Sequence, residues 1–240
     1  MTRFFVTEEA LAAQVPVLTG DNAAHAKVLR MKVGENLLLC DGQGREALCR
    51  IADTDYSLEV LERRESSSEA AVAVSVYMAF PKGDKLEHVI QKATELGARE
   101  IVTFPSSRCV SRPDEKSLKK KLERWQKIAA SAAEQSGRGR IPEVIVLDSF
   151  QNALARGAAS DMPNVFYENE HATTLRQALS SKEYKSVSIL SGPEGGLEEA
   201  EIQAAREAGF RICTLGNRIL RCETAPLCGL SAVMYDAGEF

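Results

Sequence analysis

From Val72 to Ala237 the chain alternates short apolar runs with amphipathic stretches, and this rhythm constrains the fold more than any other feature. Val72–Phe80, Glu100–Phe104, Val144–Leu147, Val165–Tyr167, Val187–Ser191 and Phe210–Leu215 have the length and composition of strands. After the first comes a helical pattern with Leu86, Val89, Ile90, Ala93 and Leu96 on one face. Asp84 is placed to cap it, with Glu87 three residues on, and Gly97 ends it. Lys116–Ser136 reads as a long helix with Leu118, Leu122, Trp125, Ile128, Ala129 and Ala132 on one side. Phe150–Ala155, Thr174–Leu179, Leu197–Ala208 and Thr224–Ala237 supply the remaining helices. Strands alternating with helices predict an α/β fold: a mostly parallel sheet with helices on both faces.

Two strand-to-helix turns stand out: Gly192-Pro193-Glu194-Gly195-Gly196, and Leu215 to Ala225, which begins Leu-Gly-Asn-Arg. Glycine lets backbone approach a ligand, because no Cβ stands in the way. Such turns also aim unpaired N–H groups at whatever binds. Two of them about twenty residues apart predict one site at adjacent strand ends. Neither is a P-loop or a dinucleotide fingerprint. No Ser-His-Asp or Cys-His arrangement is visible, which argues against covalent catalysis. The histidines (His25, His88, His171) match no metal spacing, so no metal is expected.

Residues 3–63 differ. Phe4–Val6, Val15–Leu18, Asn36–Cys40, Ala47–Ile51 and Leu58–Leu61 read as short strands, and only His25–Met31 as a helix. Thr19-Gly20-Asp21-Asn22, Lys32-Val33-Gly34-Glu35, Asp41-Gly42-Gln43-Gly44 and Asp53-Thr54-Asp55 read as turns, Asp41-Gly42 being a hairpin signal. Strands at this spacing predict a small barrel. Glu62–Glu69, charged and serine-rich, reads as a linker. The expected domains are 1–68 and 72–240.

Apolar residues make up 44% of the chain and charged residues 27%, as in globular proteins. The longest apolar runs are too short to span a bilayer. The start, Met1 to Phe5, lacks a signal-peptide pattern, so no membrane and a cytoplasmic location are expected. Six cysteines without a C-x-x-C pair read as buried thiols in a reducing compartment. The net charge of −4 is unevenly spread. Residues 71–145 hold 14 Lys and Arg against 9 Asp and Glu, whereas residues 1–70 hold 8 against 12 and residues 146–240 hold 8 against 13. The basic segment, Arg108 to Arg140, is either a solvated helix face or a phosphate-binding surface.

"SGPEGGLEEAEI" followed by "LGNRILRCETA" resembles the SPOUT superfamily of methyltransferases, and within it the bacterial 16S ribosomal RNA uridine N3-methyltransferases. "RFF" at Arg3–Phe5, "HAKVLRMKVGE" at His25–Glu35, "KGDKLEHVIQKATELG" at Lys82–Gly97 and "ERWQKIAASAAEQSGR" at Glu123–Arg138 extend the resemblance over almost the whole chain. It implies a PUA-like RNA-binding barrel and a C-terminal domain with a deep trefoil knot, an exception to the usual rule against knots. It also implies S-adenosylmethionine as cofactor, a homodimer with sites at the interface, and 16S rRNA or the small ribosomal subunit as partner. The apolar residues Leu227, Leu230, Val233 and Met234 of the last helix are the expected dimer surface.

The resemblance places cofactor contacts at Leu190, Gly192, Glu194, Gly195, Gly196, Leu215, Gly216, Ile219, Leu220 and Thr224. Glu194 has the alternative role of orienting its loop. Methylating uridine N3 requires loss of the imide proton, served by a base and by a cation near the developing enolate oxygens. Glu223 is the expected base and Arg221 the cation; some members of the superfamily use an arginine instead of a carboxylate. Arg3, Lys27, Arg30, Arg108, Arg112, Arg138 and Arg140 are the expected RNA contacts, with Lys32, Lys119 and Lys120 as further candidates. Arg138 and Arg140, flanked by glycine, read as free to reach a ligand. The chain departs from the family at Cys222, where threonine is common, at Pro226, and around Arg108, where Cys109 follows. Two other functions remain open: a non-catalytic RNA-binding or ribosome-assembly module of the same fold, and a methyltransferase for another base.

Overall fold

The computed structural model describes residues 1–110, 113–180 and 183–240. The strands are β1 (Arg3–Phe5), β2 (Asn36–Cys40), β3 (Arg45–Ile51), β4 (Leu58–Glu65), β5 (Ala73–Ala79), β6 (Glu100–Phe104), β7 (Glu143–Val146), β8 (Met162–Phe166), β9 (Ser186–Ser191) and β10 (Arg211–Cys213). The helices are α1 (Glu8–Ala12), α2 (Gly20–Val28), α3 (Lys85–Glu95), α4 (Glu115–Ser136), α5 (Phe150–Gly157), α6 (Leu175–Leu179), α7 (Glu199–Glu207) and α8 (Thr224–Asp236). The chain separates into two compact units: Met1–Glu69 with Ala133–Ile141, and Ala70–Ala132 with Pro142–Phe240.

The first unit holds a four-stranded sheet ordered β1-β2-β3-β4. β1 runs parallel to β2, and the other neighbours are antiparallel. Phe4, Leu37, Leu39, Ile51 and Leu58 form its core with Leu11, Leu18 and Ala26. Val15–Leu18 is not a strand; Val17 makes a single bridge to Ser57, held by hydrogen bonds from Leu58 N–H to Pro16 O (2.8 Å) and Leu18 N–H to Tyr56 O (3.1 Å). Thr19–Asn22 does not turn away but opens α2, with Thr19 at its N-cap. Glu62–Glu65 is not linker: it continues β4, paired by backbone with Arg45–Leu48 while its side chains stay in solvent. The segment after α4 returns to this unit, where Ile141 N–H donates to Gly42 O (3.0 Å) and Gly44 N–H to Gly139 O (3.2 Å).

In the second unit six strands run in the order β10-β8-β9-β5-β6-β7, and every neighbouring pair is parallel. β5 and β9 sit in the middle and are buried almost throughout, so their sequences are continuous apolar runs rather than alternating ones. Both faces carry helices. A Cβ on Gly229 of α8 would meet Ile189 Cδ1 at 3.6 Å, and one on Gly157 of α5 would meet Ser188 Cβ at 3.6 Å. Adjacent strand residues point to opposite faces, so α8 and α5 cover opposite sides of β9. Leu230, Val233 and Met234 are therefore core residues, at most 1% exposed, and not the dimer surface expected of them. Asp84 stands at the N-cap of α3, but no side-chain cap bond forms there. No described helix is long and apolar enough to cross a membrane.

Candidate active site

A cleft of about 830 Å³ lies where β8, β9 and β10 end. The two glycine-bearing turns do not follow adjacent strands, as expected, because β8 lies between β9 and β10. Three loops therefore build the cleft. Phe166–Asn169 leave β8, Ser191–Gly196 leave β9, and Thr214–Cys222 leave β10.

The loop after β9 is tight. Gly196 N–H donates to Pro193 O at 2.9 Å, and Gly196 has a φ of 69°. A Cβ there would overlap the Glu168 carboxylate, so glycine is required by both backbone and space. A Cβ on Gly192 would reach Gly196 C at 2.8 Å. At Gly195 it would press on Arg108 Cβ at 3.1 Å, so a side chain there first displaces the arginine. The second loop turns on Gly216, with a φ of 106° and the Thr214 hydroxyl donating to Gly216 O at 3.2 Å. Its apolar residues Leu215, Ile219 and Leu220 face the cleft, and Ile219 is 85% exposed. α8 starts directly after it, with Pro226 buried in the first turn, where a missing N–H costs nothing. Gly229 lets α8 lie against the Phe166 ring, which forms part of the cleft wall.

Gly192, Glu194, Gly195, Gly196, Leu215, Gly216, Ile219, Leu220 and Arg221 all line the cleft, as expected. Leu190, Glu223 and Thr224 do not. Leu190 is fully buried in β9. Glu223 turns toward α3: its Oε2 lies 3.5 Å from Lys85 Nζ and accepts a hydrogen bond from the Cys222 thiol at 3.2 Å. Desolvation pushes the Glu223 pKa up, but its own backbone N–H, the Cys222 thiol and Lys85 outweigh that and hold it below its ordinary value. A carboxylate so stabilised is a weaker base than a free one. Burial, the neighbouring Glu223 and other charges push the Cys222 thiol up to about 12, so it stays a neutral donor. Lys85, Phe166, Tyr167, Glu168, Asn169, His171 and Thr214 also line the cleft, although the sequence reading gave them no role in it. Lys85 lay inside a family-like stretch that could have marked it; the β8 residues carried no signal.

The expected RNA contacts divide. Lys27, Arg30, Lys32, Lys119 and Lys120 are exposed. Lys116, Lys119 and Lys120 share a shallow surface depression with Glu123. Arg3 is not available: its guanidinium is 10% exposed and donates to Glu46 Oε2 at 2.8 Å. Arg138 is 4% exposed and pairs with Glu69 at 2.7 Å, and the Arg140 N–H donates to the same carboxylate at 3.0 Å. Arg138 is thus a buried tether, not a free side chain. Arg108 donates from Nη1 to Gly195 O at 2.9 Å and so braces the glycine loop. Arg112 lies outside the described residues.

These features define an α/β protein with a cleft at the carboxyl ends of its strands, walled by glycine-bearing loops and by both polar and apolar side chains. Residues 68–234 match the RNA methyltransferase domain family, and residues 18–59 match the RNA methyltransferase PUA domain family. The chain belongs to the RNA methyltransferase family. It is 39% identical over 248 residues to a Ribosomal RNA small subunit methyltransferase E of Bacillus subtilis, covering 98% of this chain and 97% of that one. A Mycobacterium bovis protein of the same name is 34% identical over 241 residues, covering 96% and 90%. The crystal structure of a Ribosomal RNA small subunit methyltransferase E from Neisseria gonorrhoeae bound to S-adenosyl methionine superposes with a TM-score of 0.85 at 32% identity, covering 98% and 97%.

Proposed function

We propose that this chain methylates N3 of one uridine in 16S rRNA of the small ribosomal subunit, with S-adenosylmethionine as cofactor. The observation that carries this reading is the cleft itself: about 830 Å³ at the strand ends of an RNA methyltransferase family member, built by three loops, two of them glycine-bearing. That volume suits a nucleoside-sized ligand. Backbone groups of Gly192–Gly196 and Leu215–Leu220 read its polar edges, while Phe166, Leu215, Ile219 and Leu220 supply apolar contact. The names of the Bacillus and Mycobacterium relatives support the rRNA substrate. The ligand of the Neisseria structure supports the cofactor.

When bound, S-adenosylmethionine supplies an electrophilic methyl group on a sulfonium. The uridine imide must lose its proton before N3 can attack. Arg221, exposed on the cleft wall, has no ion pair among the described residues and is available to the developing oxyanions. A guanidinium beside the imide favours its anion, so a weak proton acceptor suffices. Glu223 then serves mainly to hold the second loop.

The same reading includes a cytoplasmic homodimer and a knotted path through the second unit. After β10 at the sheet edge, α8 crosses back to pack on β9 and β5. Exposed Ile219 and Tyr235, at 85% and 75%, are consistent with a partner surface. Light scattering at micromolar concentration tests the dimer. Residues 1–68, with the returning segment Ala133–Ile141, serve as the RNA-docking domain, and the remainder of residues 72–240 as the catalytic one. The decisive experiment is mass spectrometry of 16S rRNA from a strain lacking the gene, with and without complementation. Loss and recovery of one 3-methyluridine is expected; an unchanged modification profile rejects the reading.

A further inference from the structure

Lys85 is the first residue of α3, and its ammonium reaches both glycine-bearing loops. Nζ donates to Glu194 Oε1 at 2.9 Å and lies 3.5 Å from Glu223 Oε2. The Lys82 N–H donates to the same Glu194 oxygen at 3.0 Å. Glu194 stands in the middle of the loop after β9, and Glu223 closes the loop after β10 and stands at the N-cap of α8. One cation, delivered by the loop after β5, therefore joins two segments that belong to strands on either side of β8. Arg108, from the loop after β6, adds a hydrogen bond to Gly195 O, one residue from Glu194. The glycine loop is thus held by residues that follow β5 and β6 while it lines the cleft.

We propose that Lys85 is a positioning residue that ties the two cofactor loops together through Glu194 and Glu223. This inference rests on the reading that the cleft takes S-adenosylmethionine. Glycine makes these loops costly to order. Holding them before the ligand arrives moves that cost into folding, which raises affinity. Lys85 Nζ donates to Glu194, lies within ion-pair distance of Glu223 and 3.8 Å from the Cys222 sulfur, so its part here is to hold the loops. The cluster also matches its ligand in charge. Two carboxylates and one ammonium sum to −1, with the Cys222 thiol neutral, and S-adenosylmethionine carries a net positive charge that the demethylated product lacks.

The test compares the wild type with Lys85→Met and Lys85→Arg. Hydrogen exchange by mass spectrometry, without any ligand, follows peptides covering 192–197 and 215–224. Lys85→Met is expected to speed exchange in both, Lys85→Arg to preserve most of the protection, and peptides of residues 36–65 to be unaffected. In steady-state assays Lys85→Met is expected to raise KM for S-adenosylmethionine about five- to tenfold, as for loss of a partly exposed charged hydrogen bond. Its kcat and its KM for RNA should stay within about twofold, allowing for modest coupling between sites. In a Glu194→Gln background the effect of Lys85→Met should shrink, because the shared interaction is already weakened. Unchanged exchange in both loops overturns the proposal. So does a raised KM for RNA, or a fall in kcat alone with a shifted pH profile. The exchange measurement judges the tie independently of the cofactor. If S-adenosylmethionine gives the wild-type loops no protection, the ligand assignment fails instead.

Discussion

At the scale of single residues, the site is governed by which charges are already paired. Glu194 and Glu223 are both held below the ordinary carboxylate value of 4.5. In each, desolvation pushes upward and is outweighed by hydrogen bonds and by Lys85. A depressed carboxylate contributes stability that is fully present above its unfolded value and lost as pH falls through the folded one. The stability gap between wild type and Lys85→Met, read from denaturant midpoints, is therefore expected at pH 7 and should close below pH 4.5. A gap that persists in acid would mean that Lys85 stabilises by packing. Arg221 is the opposite case, an exposed cation on the cleft wall. Arg221→Ala is expected to lower kcat about 100-fold, the usual cost of removing one preorganised anion stabiliser. Its dissociation constant for S-adenosylmethionine, measured by calorimetry, should change far less. A loss confined to cofactor affinity would assign Arg221 to binding instead. Glu223→Gln keeps the hydrogen-bonding shape, so a drop in kcat as large as that of Arg221→Ala would assign Glu223 as the base.

At the scale of elements, contacts that only glycine permits place the helices against the cleft. A side chain at Gly229 would overlap the Phe166 ring and push α8 off β8. Gly229→Val is expected to cost about 1–3 kcal/mol by overpacking, measured by urea denaturation, and to weaken ligand binding because Phe166 lines the cleft. Stability and affinity equal to wild type would show that α8 can shift without disturbing the site. The alternation that predicted β5–β10 and their helices was legible because buried parallel strands are continuous apolar runs and their helices are amphipathic. Elements without that signal were not legible. α1 has five residues, too few for a period, although Thr7 caps it and Glu8 and Glu9 favour its first turn. Gly20, with a φ of 55°, and Asn22 read as a turn but begin a helix. The charged half of β4 is held by backbone pairing and by long-range contacts such as Arg64 to Glu46 and Arg63 to Ala13 O, which no local pattern reveals. In the site, the glycine loops were legible from their chemistry. Phe166–Asn169 were not, because they join the cleft only through the order β10-β8-β9. Arg138 looked free because its partner, Glu69, is 69 residues away.

At the scale of the whole molecule, an acidic chain must meet RNA through local basic surface, since phosphate neutralisation supplies most of the affinity. Burial removes Arg3 and Arg138 from that surface, and Arg108 is engaged with Gly195. Among the described residues, the exposed candidates include Lys27, Arg30 and Lys32 around the end of α2, and Lys119 and Lys120 along α4, joined by Lys116 and Lys127. The α4 lysines are placed against the electrostatics of their own helix. Lys116 and Lys119 stand near its N-terminus, where the helix dipole disfavours cations. Asp114 offsets part of this by accepting from Ser117 N–H at 2.7 Å. Lysines placed against the helix dipole are candidates for a phosphate contact. Lys119→Ala with Lys120→Ala is expected to reduce the slope of log K against log salt for a structured rRNA fragment by about 1.4–1.8, two phosphates' worth. Cofactor affinity should be unaffected. Arg138→Ala provides the contrast, because it breaks a buried pair in the first unit. It should lower stability by about 3 kcal/mol and leave the salt slope of the folded protein alone. Should the lysine variant keep the wild-type slope while Arg138→Ala reduces it without loss of stability, the basic stripe of α4 is a solvated face and RNA binds elsewhere.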